Sequence, residues 1–184
     1  MGWTFYHRPA GQTDRQHFES ELGLAKRDLK ILESATKNGT FYAAVQDPDG
    51  SVWALVILIQ RVRGEYNFGY KDMDETVGPG VHDCPAKVLD LLTPTDSQWA
   101  IEWRVKCRAT IARNAQVKAL VNGTVIELEK PVTFANDVSV QRFEYRKEGR
   151  STIFLAFPEG EAIRPFRCRL GADWASRYNW KVAS

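Results

Sequence analysis

Cysteine and histidine are scarce in this sequence of 184 residues, which contains three of each. The cysteines are an odd number with wide gaps between them: Cys84, Cys107 and Cys168. This spacing fits neither a disulfide framework nor the paired cysteines of a structural zinc site. The histidines are also dispersed, at His7, His17 and His82. We therefore expect reduced thiols and no metal or other cofactor.

Long apolar runs are missing as well. The longest, residues 52–59, has eight residues, whereas a helix needs roughly 20 to cross a bilayer. The start of the chain lacks the basic stretch followed by an apolar stretch that marks a secretory signal. The sequence thus predicts a cytoplasmic protein with no membrane partner.

Short catalytic motifs are the third absence. The sequence has no Gly-rich phosphate loop, no GxSxG and no HExxH, so nucleotide hydrolysis and the familiar hydrolase families gain no support. Its composition, 43% hydrophobic and 26% charged, is that of an ordinary globular protein. These features favour binding over catalysis, and we assign no catalytic residue.

Charge, by contrast, is plentiful and unevenly distributed. Residues 1–96 contain 10 Lys/Arg against 14 Asp/Glu, and residues 97–184 contain 15 against 9. The overall charge of +2 therefore hides one part at −4 and another at +6. A cationic C-terminal part predicts an anionic partner, with nucleic acid as the commonest candidate. The alternative is that the two parts attract each other.

Hydrophobic periodicity predicts an α+β fold that begins with a small antiparallel sheet and packed helices. A short strand over residues 2–8 precedes a helix over residues 13–35. Residues 40–46 and 51–63 flank an Asp-Pro-Asp-Gly turn and form a hairpin. Because residues 52–59 are apolar on both faces, they predict a central strand with a layer on each side.

The next elements lead toward the C-terminal part. We expect a strand over residues 65–70 and a helix over residues 84–92. Residues 97–118 are ambiguous, because apolar side chains recur both at every second and at every fourth position. We choose a helix, because residues 109–119 are rich in helix formers and Asp96 can cap it.

From residue 122 the sequence predicts a small curled β-sheet or an SH3-like barrel. Its short alternating strands are residues 124–129, 138–146, 151–157 and 164–170, and residues 173–179 form a closing helical turn. The predicted domains are an α+β domain (1–95), a linking helix (96–121) and a small β domain (122–184).

One motif resembles a known group of proteins. It consists of Gly69-Tyr70-Lys71-Asp72-Met73-Asp74-Glu75, Gly78-Pro79, Cys84-Pro85 and Leu89-Asp90. It resembles an uncharacterised family of bacterial phage, plasmid and integrated-element genes, and the start Met1-Gly2-Trp3 looks similar too. The resemblance covers residues 1 to about 95. It implies a context of mobile-element accessory genes, among which counter-defence products are common, and it implies no activity.

The same motif supplies candidate binding residues: Tyr70, Asp72, Asp74, Glu75 and Cys84. Its three carboxylates could hold a divalent cation, as in metal-dependent phosphodiester hydrolysis. They can instead form ion pairs or contact the basic groove of a protein partner. Cys84 lies at a helix start, two residues from His82, and could act as a nucleophile or simply pack under the sheet.

The C-terminal part supplies candidate nucleic-acid contacts: Arg142, Arg146, Arg164, Arg167, Arg169, Arg177 and Lys181. Lys147 and Arg150 add to this charge, and aromatic residues are interspersed: Phe143, Tyr145, Phe154, Phe166, Trp174, Tyr178 and Trp180. Basic side chains attract phosphates, and exposed aromatic rings stack on bases. The alternative is that the rings form the core and the arginines its solvated face.

Together these features predict a non-catalytic accessory protein of a phage or mobile element. Its partner would be nucleic acid or a host nucleoprotein machine, including one that acts in defence. Two alternatives remain open: a metal-dependent hydrolase or nuclease built on Asp72, Asp74 and Glu75, and a structural component of a virion or conjugation apparatus.

Overall fold

The computed structural model describes residues 2–62, 68–135, 137–158 and 164–183. The chain divides into two compact units, Met1–Ile111 and Ala112–Ser184. Each unit contains a five-stranded antiparallel sheet, and one long helix lies between the two sheets in the chain. This architecture confirms the predicted α+β class. The predicted domain limits after residues 95 and 121 stay predictions.

The sheet of the first unit consists of β1 (Thr4–Tyr6), β2 (Lys30–Lys37), β3 (Thr40–Gln46), β4 (Val52–Arg61) and β5 (Phe68–Asp74). The strand order is β1-β5-β4-β3-β2. The hairpin prediction is confirmed, since β4 pairs with every residue of β3; residue 63 of the predicted second strand lies outside the described ranges. β4 is the central strand, as its continuous apolar run predicts. Of the strand predicted over residues 65–70, the first three residues lie outside the described ranges.

Helices cover both faces of this sheet. They are α1 (Asp14–Glu21), the 3-10 helices Leu24–Arg27 and Glu75–Val77, α2 (Ala86–Leu89) and α3 (Gln98–Ala119). Phe18 of α1 packs in the core on one face. Val88 of α2 and Trp103 of α3 pack in the core on the other. β3 is therefore buried on both sides, with six consecutive buried residues.

The helix predicted over residues 13–35 is wrong beyond its first two turns. α1 begins at the expected cap, Thr13, but contains only eight residues. Gly23 then takes up a left-handed conformation (φ 58°) that ends the helical path. Farther on, Ile31 and Leu32 pack on opposite faces of the sheet in β2. The apolar side chains at these two positions also fit the spacing of a helix, which is why the sequence predicted one.

The ambiguous segment 97–118 is helical, as predicted. α3 buries Ala100, Trp103 and Cys107, which lie three and four residues apart on one face of the helix. The helix predicted over residues 84–92 is shorter, because α2 is a single turn that starts after Pro85. None of the helices in the described ranges has the length and apolar character needed to cross a bilayer.

The second unit contains β6 (Val125–Thr133), β7 (Ser139–Glu148), β8 (Ser151–Phe157), β9 (Phe166–Cys168), α4 (Trp174–Arg177) and β10 (Trp180–Val182). The strand order is β10-β6-β7-β8-β9, all antiparallel. Within the described residues, β9 and β10 are the edges of the sheet. Its core contains Ile126, Phe143, Phe154 and Trp174.

Candidate functional site

The motif between β5 and α2 is attached to α3 by several contacts. The indole nitrogen of Trp103 donates a hydrogen bond to the carbonyl of Val81 (2.8 Å). Trp99 lies so close to Gly78 that a Cβ built on this glycine would be 3.0 Å from the indole ring. Cys84 and Cys107 belong to one buried cluster. The motif that supplies the candidate binding residues is therefore also an extensive part of the packed structure.

Glu75 provides the strongest of these contacts. Its carboxylate accepts two hydrogen bonds of 2.6 Å from the guanidinium of Arg104, and a third of 3.2 Å from the backbone N–H of Ala54. Arg104 also donates to the carbonyl of Thr93 (2.6 Å). The side chain of Glu75 is only 2% exposed. This carboxylate is thus neutralised and enclosed, and it presents no free oxygen to a metal ion or a partner.

The other two carboxylates of the motif do not join Glu75. Asp74 caps the 3-10 helix, where its Oδ1 accepts hydrogen bonds from the backbone N–H (2.7 Å) and the hydroxyl of Thr76. Asp72 pairs in register with Ile57 in the adjacent strand. In the part of the chain that the structure describes, no group of three His, Cys, Asp or Glu side chains could hold a metal ion. The geometry gives the metal-dependent alternative no support.

Tyr70, a further candidate, is a core residue. It is 5% exposed and makes edge-to-face contacts with Tyr6 and Phe18, with ring centroids 5.4 Å apart in both cases. Burial raises the pKa of its phenol. Its side chain therefore contributes to packing and is not on the surface.

Cys84 is completely buried, and burial raises the pKa of its thiol. A buried neutral thiol is a poor nucleophile, because the thiolate is the reactive form. Burial, followed by the charge of Lys106, lowers the pKa of His82. The geometry thus favours a packed Cys84 over a catalytic one.

A small cavity of about 130 Å³, which the sequence did not predict, lies where the motif meets α3. Its walls include Gly78, Pro79, His82, Trp99 and Lys106. Trp99 is 65% exposed. An exposed tryptophan cannot be recognised from periodicity alone, because Trp99 continues the apolar spacing of the buried Trp103.

The aromatic residues of the second unit form its core. Phe143, Phe154 and Trp174 are at most 4% exposed, and Phe154 contacts each of the other two edge-to-face. Phe166, Tyr178 and Trp180 pack around the same cluster. Phe143, Phe154 and Trp174 therefore offer no stacking surface for bases, whereas Phe166, Tyr178 and Trp180 are half-buried around them.

Four of the seven predicted nucleic-acid contacts are engaged in ion pairs within this unit. They are Arg146 with Glu144 (2.7 Å), Arg167 with Glu148 (2.7 Å), Arg177 with Asp173 (3.0 Å) and Lys181 with Glu127 (3.3 Å). Glu144 lies on the same strand as Arg146, and Glu127 lies on the strand that pairs with the strand of Lys181. Much of the positive charge of this sheet is thus compensated locally.

The remaining three, Arg142, Arg164 and Arg169, are exposed and have no carboxylate within ion-pair distance among the described residues. Arg150, at the turn between β7 and β8, shares this property. The second unit contains twelve Lys/Arg against eight Asp/Glu, a formal charge of +4. The exposed unpaired arginines contribute to this excess.

Arg150 and Arg169 are brought together by the fold. They line one cavity of about 360 Å³, together with Ser151, Thr152, Gly171 and Trp174. Among the residues that the structure describes, no Asp or Glu lines this cavity. A second cavity of about 400 Å³ in the same unit is lined by Glu127 and Glu129 and is therefore less suited to an anion. The sequence indicated both arginines but not that they share a cavity.

Comparison with known proteins gives one result. Residues 94–172 match a family described as a domain of unknown function (DUF6927). The match covers less than half of the chain, and it begins where the resemblance of the N-terminal motif ends. No curated protein and no solved structure matches the chain significantly. The region from α3 to the end of β9 is thus similar to a domain family of unknown function.

Proposed function

We propose that this chain is a non-catalytic nucleic-acid-binding accessory protein of a phage or another mobile element. The observation that carries the proposal is the set of exposed arginines in the second unit that have no acidic partner among the described residues: Arg142, Arg150, Arg164 and Arg169. The mobile-element context comes from the resemblance of the motif at residues 69–90. The target is nucleic acid, either that of the element itself or that bound in a host nucleoprotein machine such as a defence complex.

Unpaired arginines support this role for a physical reason. A guanidinium that already contacts a carboxylate must lose that contact before it can bind a phosphate, whereas Arg142 and Arg164 have no such contact with any described residue. Arginine also donates two parallel hydrogen bonds to a phosphate group. Because each phosphate contact releases counterions from the nucleic acid, the affinity should decrease steeply with salt.

The test is fluorescence anisotropy with labelled single-stranded and duplex DNA, between about 50 and 200 mM salt. The variant has four substitutions: Arg142→Ala, Arg150→Ala, Arg164→Ala and Arg169→Ala. We expect its affinity to be at least about ten-fold lower than that of the wild type. The slope of log affinity against log salt should also decrease, by roughly 0.9 for each lost phosphate contact with duplex DNA.

A matched control removes four cations that are already paired: Arg146→Ala, Arg167→Ala, Arg177→Ala and Lys181→Ala. Both variants lose four positive charges, so the comparison separates direct phosphate contact from overall charge. Equal weakening in the two variants would contradict the proposal, as would an affinity that does not change with salt. No affinity at low salt, combined with a defined oligomer in light scattering, would favour a structural component of a virion or conjugation apparatus instead.

A further inference from the structure

The cavity that contains Arg150 and Arg169 has an uncompensated positive charge. The two acidic residues closest to these arginines in the sequence, Glu148 and Asp173, already accept hydrogen bonds from other arginines. Glu148 accepts hydrogen bonds from Arg167 with both carboxylate oxygens (2.8 and 2.7 Å). Asp173 accepts two from Arg177 (3.2 and 3.0 Å). The cavity thus presents about two positive charges to a ligand.

The walls of the cavity complement this charge. Ser151 and Thr152 add polar residues to the lining, and a hydroxyl of this kind can donate a hydrogen bond to an oxyanion. Trp174, which is 4% exposed, provides an apolar wall. The volume of about 360 Å³ is within the range of small-molecule sites, roughly 300–1,000 Å³.

We infer that this cavity binds a terminal phosphate monoester of a nucleic-acid strand in preference to an internal phosphodiester. A terminal monoester has a charge of about −1.5 to −2 at neutral pH, which matches two guanidiniums, whereas each internal phosphodiester contributes one negative charge. This inference rests on the proposed function, and it assigns the strand end as the group that the protein recognises.

Two single-stranded oligonucleotides of identical sequence test it, one with a 5′-phosphate and the other with a 5′-hydroxyl, together with a 3′-phosphorylated version. Competition anisotropy on the full chain should show a preference of roughly ten-fold or more for one phosphorylated end, a ratio that corresponds to about 1.4 kcal/mol. In the double variant Arg150→Ala/Arg169→Ala this preference should disappear. In the matched variant Arg142→Ala/Arg164→Ala, affinity should decrease equally for all three oligonucleotides, so that the preference remains.

Circular dichroism and thermal unfolding establish whether each variant is folded. The charge-conserving pair Arg150→Lys/Arg169→Lys should retain part of the preference, since lysine keeps the charge and loses the planar fork. Equal affinity for the phosphorylated and hydroxyl ends would overturn the inference and leave the proposed function intact. No affinity for any oligonucleotide would overturn both. A phosphoserine peptide that displaces the phosphorylated oligonucleotide at comparable concentration would also overturn the assignment to strand ends.

Discussion

Arg104 binds Glu75 through two parallel hydrogen bonds of 2.6 Å, and this ion pair joins the motif to α3. The acid is almost fully buried and the arginine largely so. A buried carboxylate without its cation is strongly destabilising, whereas an intact pair contributes little net stability. Removing one partner should therefore lower the stability of the fold by more than the intact pair contributes to it.

The first prediction concerns this pair. Arg104→Ala leaves Glu75 buried and unpaired, and we expect the free energy of unfolding in urea to decrease by about 3 kcal/mol. Arg108→Ala is the matched control, because Arg108 is on the same helix and pairs with Asp90 at 2.9 Å, with both side chains more than half exposed. The control should lose less than about 1 kcal/mol. Similar decreases in the free energy of unfolding of the two variants would contradict the expected effect of burying the Glu75 carboxylate.

Divalent cations provide the second prediction. Since Glu75 is engaged with Arg104 and Asp74 with Thr76, calorimetric titration with Mg²⁺ or Mn²⁺ should show no saturable binding. Saturable binding that is lost in Asp72→Ala and Asp74→Ala would contradict this expectation and revive the metal-dependent hydrolase.

The third prediction concerns thiol reactivity. Burial raises the pKa of Cys107 to about 12 and that of the half-buried Cys168 to about 11. Cys84 is fully buried. In the folded protein, an aromatic disulfide reagent should therefore label Cys168 first, and the two buried thiols should react only after unfolding. Mass spectrometry identifies the labelled site, and rapid labelling of Cys84 would favour the nucleophile interpretation.

The fourth prediction is a pH dependence that originates in His17. Its ring stacks on Tyr6 with centroids 4.2 Å apart, and burial lowers its pKa from the usual 6.5. The charge of Glu21 raises this pKa, that of Arg8 lowers it and that of Asp14 raises it, each by less than burial does. Below pH 6.5 the unfolded chain binds a proton at this residue more readily than the folded chain does, so stability that is present above pH 6.5 is lost as the pH falls.

The measurement compares the free energy of unfolding of the wild type and His17→Phe from about pH 7.5 to about pH 5.5. Phenylalanine preserves the stacking and cannot be protonated. The wild type should lose more stability than the variant over this interval. Parallel curves would mean that His17 titrates similarly in the folded and unfolded chains.

The fifth prediction concerns the contact between Gly78 and Trp99. Gly78 has φ 63°, and an added Cβ would lie 3.0 Å from the indole. We expect Gly78→Ala to cost about 1–2 kcal/mol from the left-handed backbone alone. Gly80→Ala is the control, because a Cβ there meets nothing within 4 Å, and its effect should stay within about 0.5 kcal/mol. Equal effects would indicate that the loop adapts to the substitution.

The sequence by itself determined the α+β class, the central position of β4 and the hairpin around the Asp-Pro-Asp-Gly turn, and it favoured a helix over a strand for α3. These features depend on local periodicity and turn residues, which can be recognised within ten to twenty residues. The same local information was misleading for β2, where the alternation of Ile31 and Leu32 also fits a helix. Only pairing with β3 decides between the two.

The tertiary structure alone decided which charged groups are free. The sequence showed the acids of the motif and the arginines of the second unit, but it could not show that Glu75 is enclosed by Arg104, or that Arg146 and Arg167 already have acidic partners. It also could not show that Arg150 and Arg169, 19 positions apart, line one cavity. Whether a charge is compensated depends on neighbours within a few ångströms, and folding selects those neighbours from distant parts of the chain.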